Sequence, residues 1–338
     1  MIPHNLPTIG QEEEDAVLRV LRSKQLSQGD EVELFENEFC DYLGLPHGSA
    51  VALSNGTSSL FMALKTLNAE KKKILFPGYV CSALRHAVSM AGGVENTVDV
   101  ESNSPNLNMS IIKQNSSDIS IIPHMYGIPI QIDADNTLVI EDCCQALGAK
   151  VKNKMVGLQG DVGIFSFYAT KLMTSGGQGG MFVSKNQEYV DAVRDYREFD
   201  FRNDSKKRFN FKMTDLQAAV GRVQLKKLPS FLKRREEIFQ YYKKSGLDLL
   251  DVDDELRGIL EPVRYRAIIK TKNPTKFVSS LESVGVQSII PTEDWELLGP
   301  WESLPNALKF SHETISIPIY PSLTKEHLDI ILSGLVIK

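Results

Sequence analysis

The stretch 163-GIFSFYATKLMTSGGQGG-180 contains an apolar run, a lysine and a glycine-rich loop, in that order. The apolar run, residues 163–167, predicts a buried strand that leads to Lys171. Partly apolar surroundings lower the pKa of a lysine, because desolvation disfavours the ammonium, and a neutral amine can form a Schiff base. An isolated lysine is usually a surface residue. A chemical role for Lys171 therefore depends on what the rest of the chain supplies.

A phosphate site is predicted by 54-SNGTSS-59, which lies between an apolar strand, residues 51–53, and an apolar helix, residues 60–64. The first N–H groups of a helix are unpaired and carry partial positive charge, and small residues let a phosphate approach them. The alternative is an ordinary helix cap that binds nothing. The candidate phosphate ligands are Gly56, Thr57 and Ser58.

A carboxylate follows an apolar strand in 138-LVIEDCCQ-145. Ligands of open α/β sheets bind outside the carboxyl ends of the strands, so Asp142 occupies a position where a carboxylate would meet a cofactor. A helix cap is again the alternative.

Together, a phosphate cradle, a carboxylate and a lysine match the needs of pyridoxal 5'-phosphate (PLP). Its aldehyde binds an amine, and its pyridine nitrogen must stay protonated for the ring to withdraw electrons.

The wider pattern predicts an α/β fold with a mostly parallel sheet, because short apolar runs alternate with helical stretches or loops between residues 50 and 184. Two helices precede this region, near residues 11–24 and 30–43. The expected strands are residues 50–53, 74–76, 119–123, 138–140, 163–167 and 180–184.

A long helical pattern over residues 214–244 contains Pro229, a candidate break or kink. We place the domain boundary there. Residues 1–228 are then expected to form a large domain with N-terminal helices. Residues 229–338 are expected to form a smaller α+β domain, with a strand at 265–270 and helices at 274–284 and 325–335.

Composition argues against several classes of protein. The chain has 338 residues, of which 42% are hydrophobic, and a formal net charge of -5, so it lacks the basic surface expected for nucleic-acid binding. No apolar run approaches the roughly 18 to 20 residues that span a bilayer, and no signal sequence precedes the first helix, so we expect a cytoplasmic protein without a membrane partner. Four cysteines are too few for a disulfide framework, and none forms a C-x-x-C metal motif.

Further motifs make the chain resemble the DegT/DnrJ/EryC1/StrS family of PLP-dependent sugar aminotransferases, and the resemblance covers nearly the whole chain. The family implies the three-layer fold of aspartate aminotransferase, known as fold type I. The motifs that carry the resemblance are 26-LSQG-29, 56-GT-57, 123-PHMYG-127, 140-IEDCCQA-146, 165-FSFYATK-171, 210-NFKM-213 and 317-IPIYPSLT-324.

The resemblance implies that Lys171 holds PLP as a Schiff base and that Asp142 pairs with the pyridine nitrogen. Gln145 would lie near the ring and its phenolic oxygen. The family usually places an aromatic residue over the ring where this chain has Cys81, so Tyr79 or a residue from elsewhere would have to cover it.

The phosphate would be held by Thr57, Ser58 and Ser166, according to the same resemblance. Asn210 matches an asparagine that reaches the phosphate from the neighbouring subunit, so the active sites would be shared in a homodimer. The implied reaction moves an amino group, from glutamate, to a keto-sugar linked to a nucleotide, for amino-sugar biosynthesis. No arginine stands in a context that marks it as a carboxylate clamp, and 289-IIPTEDW-295 replaces the family's usual substrate segment.

Three other functions fit parts of the pattern. A dehydratase, or a cyclitol or aminobenzoate-type enzyme, would share the scaffold, but deoxysugar dehydratases of this family commonly carry histidine at the lysine position. A non-catalytic regulatory homologue would be expected to lose Lys171 or Asp142. A dinucleotide-binding reductase requires G-x-G-x-x-G after the first strand, whereas the glycines at 176–180 follow Lys171. The pattern therefore favours an aminotransferase.

Overall fold

The computed structural model of this chain describes residues 1–133 and 137–335. Of the twelve strands in these residues, seven form the main sheet. Along the chain the strands are β1 (Ala50–Leu53), β2 (Lys73–Pro77), β3 (Val94–Val98), β4 (Ile119–Pro123), β5 (Leu138–Asp142), β6 (Lys150–Val151), β7 (Lys154–Met155), β8 (Val162–Ser166), β9 (Gly180–Val183), β10 (Leu260–Glu261), β11 (Ala267–Lys270) and β12 (Thr314–Ile317). The helices are α1 (Gln11–Ser23), α2 (Asp30–Leu43), α3 (Gly56–Thr66), α4 (Ala83–Met90), α5 (Met109–Gln114), α6 (Gln187–Arg197), α7 (Asp215–Lys244), α8 (Pro274–Ser283), α9 (Pro305–Glu313) and α10 (Lys325–Ser333).

The strand order of the main sheet is β1-β9-β8-β5-β4-β2-β3. The strands from β8 to β3 pair in parallel, and β9 runs antiparallel to both of its neighbours. The prediction of an α/β fold with a mostly parallel sheet is therefore confirmed. Because parallel strands end at one edge, Asp142 at the end of β5 and Ser166 at the end of β8 lie at the same edge of the sheet.

The chain reverses direction between β8 and β9, in the loop that carries Lys171. The backbone N–H of Phe167 donates to the Gly179 carbonyl at 2.8 Å, and that of Ala169 donates to the Gly177 carbonyl at 3.1 Å. Gly177 has a φ of 121°, which a residue with a side chain rarely adopts. These contacts hold Lys171 beside the carboxyl edge of the sheet.

Helix α7 continues through Pro229, so a break at this residue is wrong, whereas a kink there stays a prediction. Pro229 lies on an exposed face of the helix. The one N–H bond that proline cannot donate is a small part of the bonding of this 30-residue helix, so the helix tolerates its loss. The predicted strands at residues 50–53 and 119–123 have the expected bounds.

A second apolar cluster joins the end of α7 to β11, β12, α8 and α10. The main apolar cluster, however, also includes Leu304 and Phe310, and α7 spans residue 228. The division into residues 1–228 and 229–338 therefore stays a prediction. Within the described ranges, no helix has the length and apolar character needed to cross a bilayer.

Candidate active site

A cavity of about 530 Å³ lies where β5 and β8 end and α3 begins. Small-molecule sites commonly have volumes of about 300–1,000 Å³. Eight of the nine predicted site residues line this cavity, namely Gly56, Thr57, Ser58, Cys81, Asp142, Gln145, Ser166 and Lys171. Asn210 lies outside the wall, although its neighbour Phe211 is part of it.

The start of α3 supplies backbone N–H groups to one end of the cavity. Asn55 caps the helix, and its side chain accepts a hydrogen bond of 2.8 Å from the Ser58 N–H. The N–H groups of Gly56 and Thr57 have no partner among the described residues. An anion placed there would be stabilised by these two donors and by the helix dipole.

The Ser58 hydroxyl already has partners within the cap. It donates to the Asn55 carbonyl at 2.7 Å and accepts a hydrogen bond of 3.1 Å from the Asn55 N–H. Ser58 is buried, whereas Thr57 is exposed and lines the cavity at the start of α3. Direct phosphate binding by Ser58 therefore stays a prediction, and Thr57 has the freer hydroxyl.

Two glycines let α3 begin directly on the main sheet. A Cβ atom at Gly56 would lie 2.8 Å from the Ser166 Cβ and 3.3 Å from the Cys144 sulfur. A Cβ atom at Gly180, the first residue of β9, would collide with the Asn55 carbonyl. Only residues without a side chain allow this approach, which places the Ser166 hydroxyl next to the unpaired N–H groups.

Asp142 faces the cavity from the end of β5 and is nearly buried, with 8% of its surface exposed. Its Oδ1 accepts a hydrogen bond of 3.0 Å from the Cys144 N–H, which orients the carboxylate. Gln145 lies beside it, and its amide oxygen accepts a hydrogen bond of 2.8 Å from the Tyr126 N–H. A carboxylate and an amide are thus held in fixed orientations at this side of the cavity.

Glu141 and His124 form a buried pair next to Asp142, and His124 also lines the cavity. The Glu141 carboxylate accepts hydrogen bonds from the N–H groups of Gly157 and Gly160, at 2.9 and 2.8 Å. His124 accepts a bond from the Ile130 N–H on Nδ1, so Nε2 carries the proton and donates to Glu141 at 3.2 Å. Although burial opposes it, His124 and the backbone donors hold the pKa of Glu141 below its usual value. Because both groups are occupied by N–H bonds, they do not form a metal site with Cys143.

Lys171 has a tyrosine beside it that sequence analysis does not predict. Its Nζ lies 5.2 Å from the centre of the Tyr265 ring, a cation–π contact. Burial alone would lower the pKa of Lys171. Tyr265, followed by the Cys144 and Cys81 thiols and the Asp142 carboxylate, raises this pKa above its usual value. The expectation of a lowered pKa is therefore wrong, because the interactions with these neighbours outweigh desolvation.

Tyr265 is held in place by a buried arginine of α7. Arg235 donates hydrogen bonds to the Tyr265 and Arg264 carbonyls, at 3.3 and 3.2 Å. Burial lowers the pKa of Arg235 to about 10. The contact with Lys171 arises from tertiary packing between distant parts of the chain, so no sequence motif signals it.

Cys81 lines the cavity, as predicted, but Tyr79 does not cover it. Tyr79 is fully buried, and its hydroxyl accepts a hydrogen bond of 2.9 Å from the Tyr126 hydroxyl. Its ring packs against Phe310, with 5.8 Å between the ring centres. Tyr79 therefore belongs to the core, and its suggested position over a cofactor ring is wrong.

Asn210 lies on the surface, in the segment that precedes α7. Its side-chain oxygen accepts a hydrogen bond of 3.1 Å from the Lys212 N–H, within its own loop. Binding to a neighbouring subunit's phosphate stays a prediction for this residue.

The groups around the cavity fit PLP. The unpaired N–H groups of Gly56 and Thr57, with the Ser166 hydroxyl, suit a phosphate. The Asp142 carboxylate suits a protonated pyridine nitrogen, and the Lys171 amine suits an aldehyde. Apolar side chains between these groups suit the flat ring, including Val80 and Ile164. The wall therefore offers groups suited to the phosphate, the pyridine nitrogen, the aldehyde and the ring of this cofactor.

Comparison with known proteins agrees with the fold. A profile described as the DegT/DnrJ/EryC1/StrS aminotransferase family matches residues 7–336. The chain is 30% identical to the UDP-4-amino-4,6-dideoxy-N-acetyl-beta-L-altrosamine transaminase of Campylobacter jejuni serotype O:2, over 96% of this chain and 93% of that protein. It is 28% identical to the spore coat polysaccharide biosynthesis protein SpsC of Bacillus subtilis, over 98% and 96%. The structure of S. venezuelae DesV in complex with a ketimine intermediate superposes with a TM-score of 0.86 at 26% identity, over 96% of this chain and 93% of DesV.

Replacement of Gly56 by alanine tests the contact between α3 and β8. The added Cβ must push the helix start away from Ser166, so the Gly56→Ala variant is expected to bind PLP about tenfold more weakly or worse. Fluorescence titration of the purified protein with PLP measures this affinity. Gly10→Ala is the matched control, because its Cβ would meet nothing closer than 3.8 Å. Equal affinities of Gly56→Ala and wild type would show that the contact does not shape the site.

Proposed function

Because the chain belongs to the DegT/DnrJ/EryC1/StrS aminotransferase family, we propose that it holds PLP on Lys171 and moves an amino group from glutamate to a nucleotide-linked keto-sugar. The Campylobacter relative is a transaminase named for a UDP-linked amino sugar, and SpsC is named for polysaccharide biosynthesis. These names support an amino-sugar product. The glutamate donor comes from the family resemblance.

One observation carries the proposal: the Lys171 amine, the Asp142 carboxylate and the start of α3 line a single cavity. Each belongs to a different part of the chain, and each is common in proteins when taken alone. A site that joins an amine, a carboxylate and an anion cradle supports PLP chemistry far more strongly than any one of them.

Each residue has a separate task in the proposed reaction. PLP, when bound, would supply a ring that withdraws electrons from the substrate carbon. Lys171 would hold the aldehyde, and its released amine would remove a proton from the donor and return it. Tyr265 raises the pKa of Lys171, which favours the ammonium form of this lysine. The Lys171 ammonium must therefore lose a proton before the amine can attack an aldehyde. Asp142, oriented by the Cys144 N–H, would accept a hydrogen bond from the pyridine N–H.

The neighbouring subunit enters the proposal through Asn210. This residue is exposed and lies beside Phe211, which lines the cavity. We assign it to the phosphate of a partner chain in a homodimer, as the family resemblance implies. A cytoplasmic location also stays a prediction.

Covalent trapping tests the attachment of PLP. Borohydride treatment of the PLP-loaded protein, followed by digestion and mass spectrometry, is expected to find the cofactor on the peptide that contains Lys171. Lys185→Ala, a change at an exposed lysine outside the cavity wall, should retain the label, whereas Lys171→Ala should lose it. A label on any other lysine of the wild-type protein would overturn the assignment.

The donor is tested by the absorbance of the cofactor. Adding glutamate to the PLP-loaded wild type is expected to convert the spectrum to that of pyridoxamine phosphate, with release of 2-oxoglutarate. Lys171→Ala should not convert at a comparable rate, because it lacks the amine that moves the proton. A wild-type spectrum that does not change on addition of glutamate would contradict the assignment of glutamate as the donor. It would not contradict PLP binding, which the trapping experiment tests separately.

Subunit mixing tests the shared active site. Lys171→Ala and Asn210→Ala chains are each expected to be impaired, since each lacks one proposed contributor to every site. After the two are unfolded and refolded together, about a quarter of all sites should contain both wild-type residues, if dimers form at random. Turnover by the mixture, compared with each variant alone, measures the recovery. No recovery would mean that Asn210 does not act across a subunit interface.

A further inference from the structure

The peptide unit that joins Thr170 to Lys171 is bonded at both of its polar atoms. Its N–H, which belongs to Lys171, donates to the Tyr168 carbonyl at 2.9 Å, within the loop. Its carbonyl, which belongs to Thr170, accepts a hydrogen bond of 3.0 Å from the side-chain amide of Asn5, a residue 165 positions away in the chain. The Cα of Lys171 lies in the plane of this peptide unit. Asn5 therefore bonds to the backbone from which the Lys171 side chain projects.

The N-terminal strap, defined as residues 2–8, begins on the C-terminal part of the molecule. The Ile2 N–H donates to the Gly285 carbonyl at 2.8 Å, and the Ile2 side chain belongs to the second apolar cluster. His4 Nε2 lies 2.9 Å from the Ser316 hydroxyl, on β12. The start of the strap is therefore fixed to elements that lie outside the main sheet.

The end of the strap lies on the loop that carries Lys171. Pro7 and Thr8 line a small cavity together with Lys171. Gln224 of α7 bonds to both the strap and the loop. It donates to the Thr8 carbonyl at 2.8 Å, and its amide oxygen accepts a hydrogen bond of 3.3 Å from the Thr174 N–H. The strap thus bonds to the loop directly through Asn5 and indirectly through Gln224.

The loop itself continues into β8 and β9, and bonds within it set its shape. The Ala169 N–H donates to the Gly177 carbonyl at 3.1 Å, and the Gly177 N–H donates to the Thr174 hydroxyl at 3.2 Å. Bonds of this kind fix the loop against itself. Contacts from outside the loop are needed to fix its middle, where Lys171 lies, relative to the rest of the site. The bond from Asn5 is such a contact, at the peptide next to the lysine.

The placement of Lys171 matters because the other two parts of the proposed cofactor site are held separately. The unpaired N–H groups belong to the start of α3, and Asp142 belongs to the end of β5. The Lys171 amine must meet the aldehyde of a cofactor that these two groups hold. A displacement of about 1 Å between reacting groups can cost on the order of 100-fold in rate.

We propose that Asn5 is a positioning residue for Lys171, which acts through the Thr170 carbonyl. This inference rests on the proposed function, since it concerns the attachment of PLP. In that step the neutral amine adds to the aldehyde carbon. The aldehyde oxygen then leaves as water with the two amine protons, as the C=N bond forms. Asn5 is not part of the cavity wall. Its loss is therefore expected to slow this step and to leave the preceding non-covalent binding of PLP unchanged.

Stopped-flow absorbance separates the two steps when full-length protein freed of cofactor is mixed with PLP. The observed rate of Schiff-base formation saturates with PLP concentration: the half-saturating concentration measures binding, and the plateau measures bond formation. Asn5→Ala and the isosteric Asn5→Asp both lack the N–H donor. Each is expected to lower the plateau about 2- to 10-fold, the loss expected for one hydrogen bond, at an unchanged half-saturating concentration. Asn5→Gln keeps an amide and should recover part of the rate.

Asn115→Ala is the matched control. The Asn115 side-chain amide also donates to a backbone carbonyl, that of Ile111 at 2.8 Å, at the end of α5. Its plateau should equal that of wild type.

The proposal would be overturned by equal plateaus in wild type and the variants Asn5→Ala and Asn5→Asp. It would also be overturned by a change in the half-saturating concentration alone, or by an equally low plateau in Asn115→Ala. A wild-type protein that forms no Schiff base on Lys171 would overturn the proposed function and this inference together. Borohydride trapping of wild type distinguishes that result from a failure of the role of Asn5 alone.

Discussion

The direct contact between the start of α3 and the strands β8 and β9 is the constraint on which the candidate site depends. Gly56 and Gly180 permit it, because a side chain at either position would meet Ser166 or the Asn55 carbonyl. The contact brings two unpaired backbone N–H groups to the Ser166 hydroxyl. It also sets the distance from this anion cradle to Asp142 on β5, so one rigid sheet edge carries both ends of the proposed cofactor site.

Electrostatic interactions stabilise the part of the candidate site around Lys171 and Tyr265. Lys171 contacts Tyr265, and the pKa values of the two move in the directions expected for a mutually stabilising pair. Burial alone would raise the pKa of Tyr265, but Lys171, Arg266 and Arg235 lower it. Lys171 therefore contacts Tyr265 and also lines the cavity together with Asp142.

Much of the fold and of the candidate site is predictable because it depends on local patterns. Asp142, Ser166 and Lys171 all follow apolar strands, and parallel strands end at one edge, so their approach follows from chain order. β3 is missed because Val94–Val98 is an edge strand with a partly polar, exposed sequence. Tyr265 is missed because only tertiary packing brings it to Lys171, and without Tyr265 the direction of the Lys171 pKa shift cannot be inferred.

The most direct test of the account is a crystal structure of the protein grown with PLP. The account predicts continuous density between Lys171 Nζ and the cofactor, with the pyridine nitrogen facing Asp142. It also predicts the phosphate against the N–H groups of Gly56 and Thr57 and the Ser166 hydroxyl. Density that joins the cofactor to a different lysine, or a phosphate bound away from the start of α3, would contradict it.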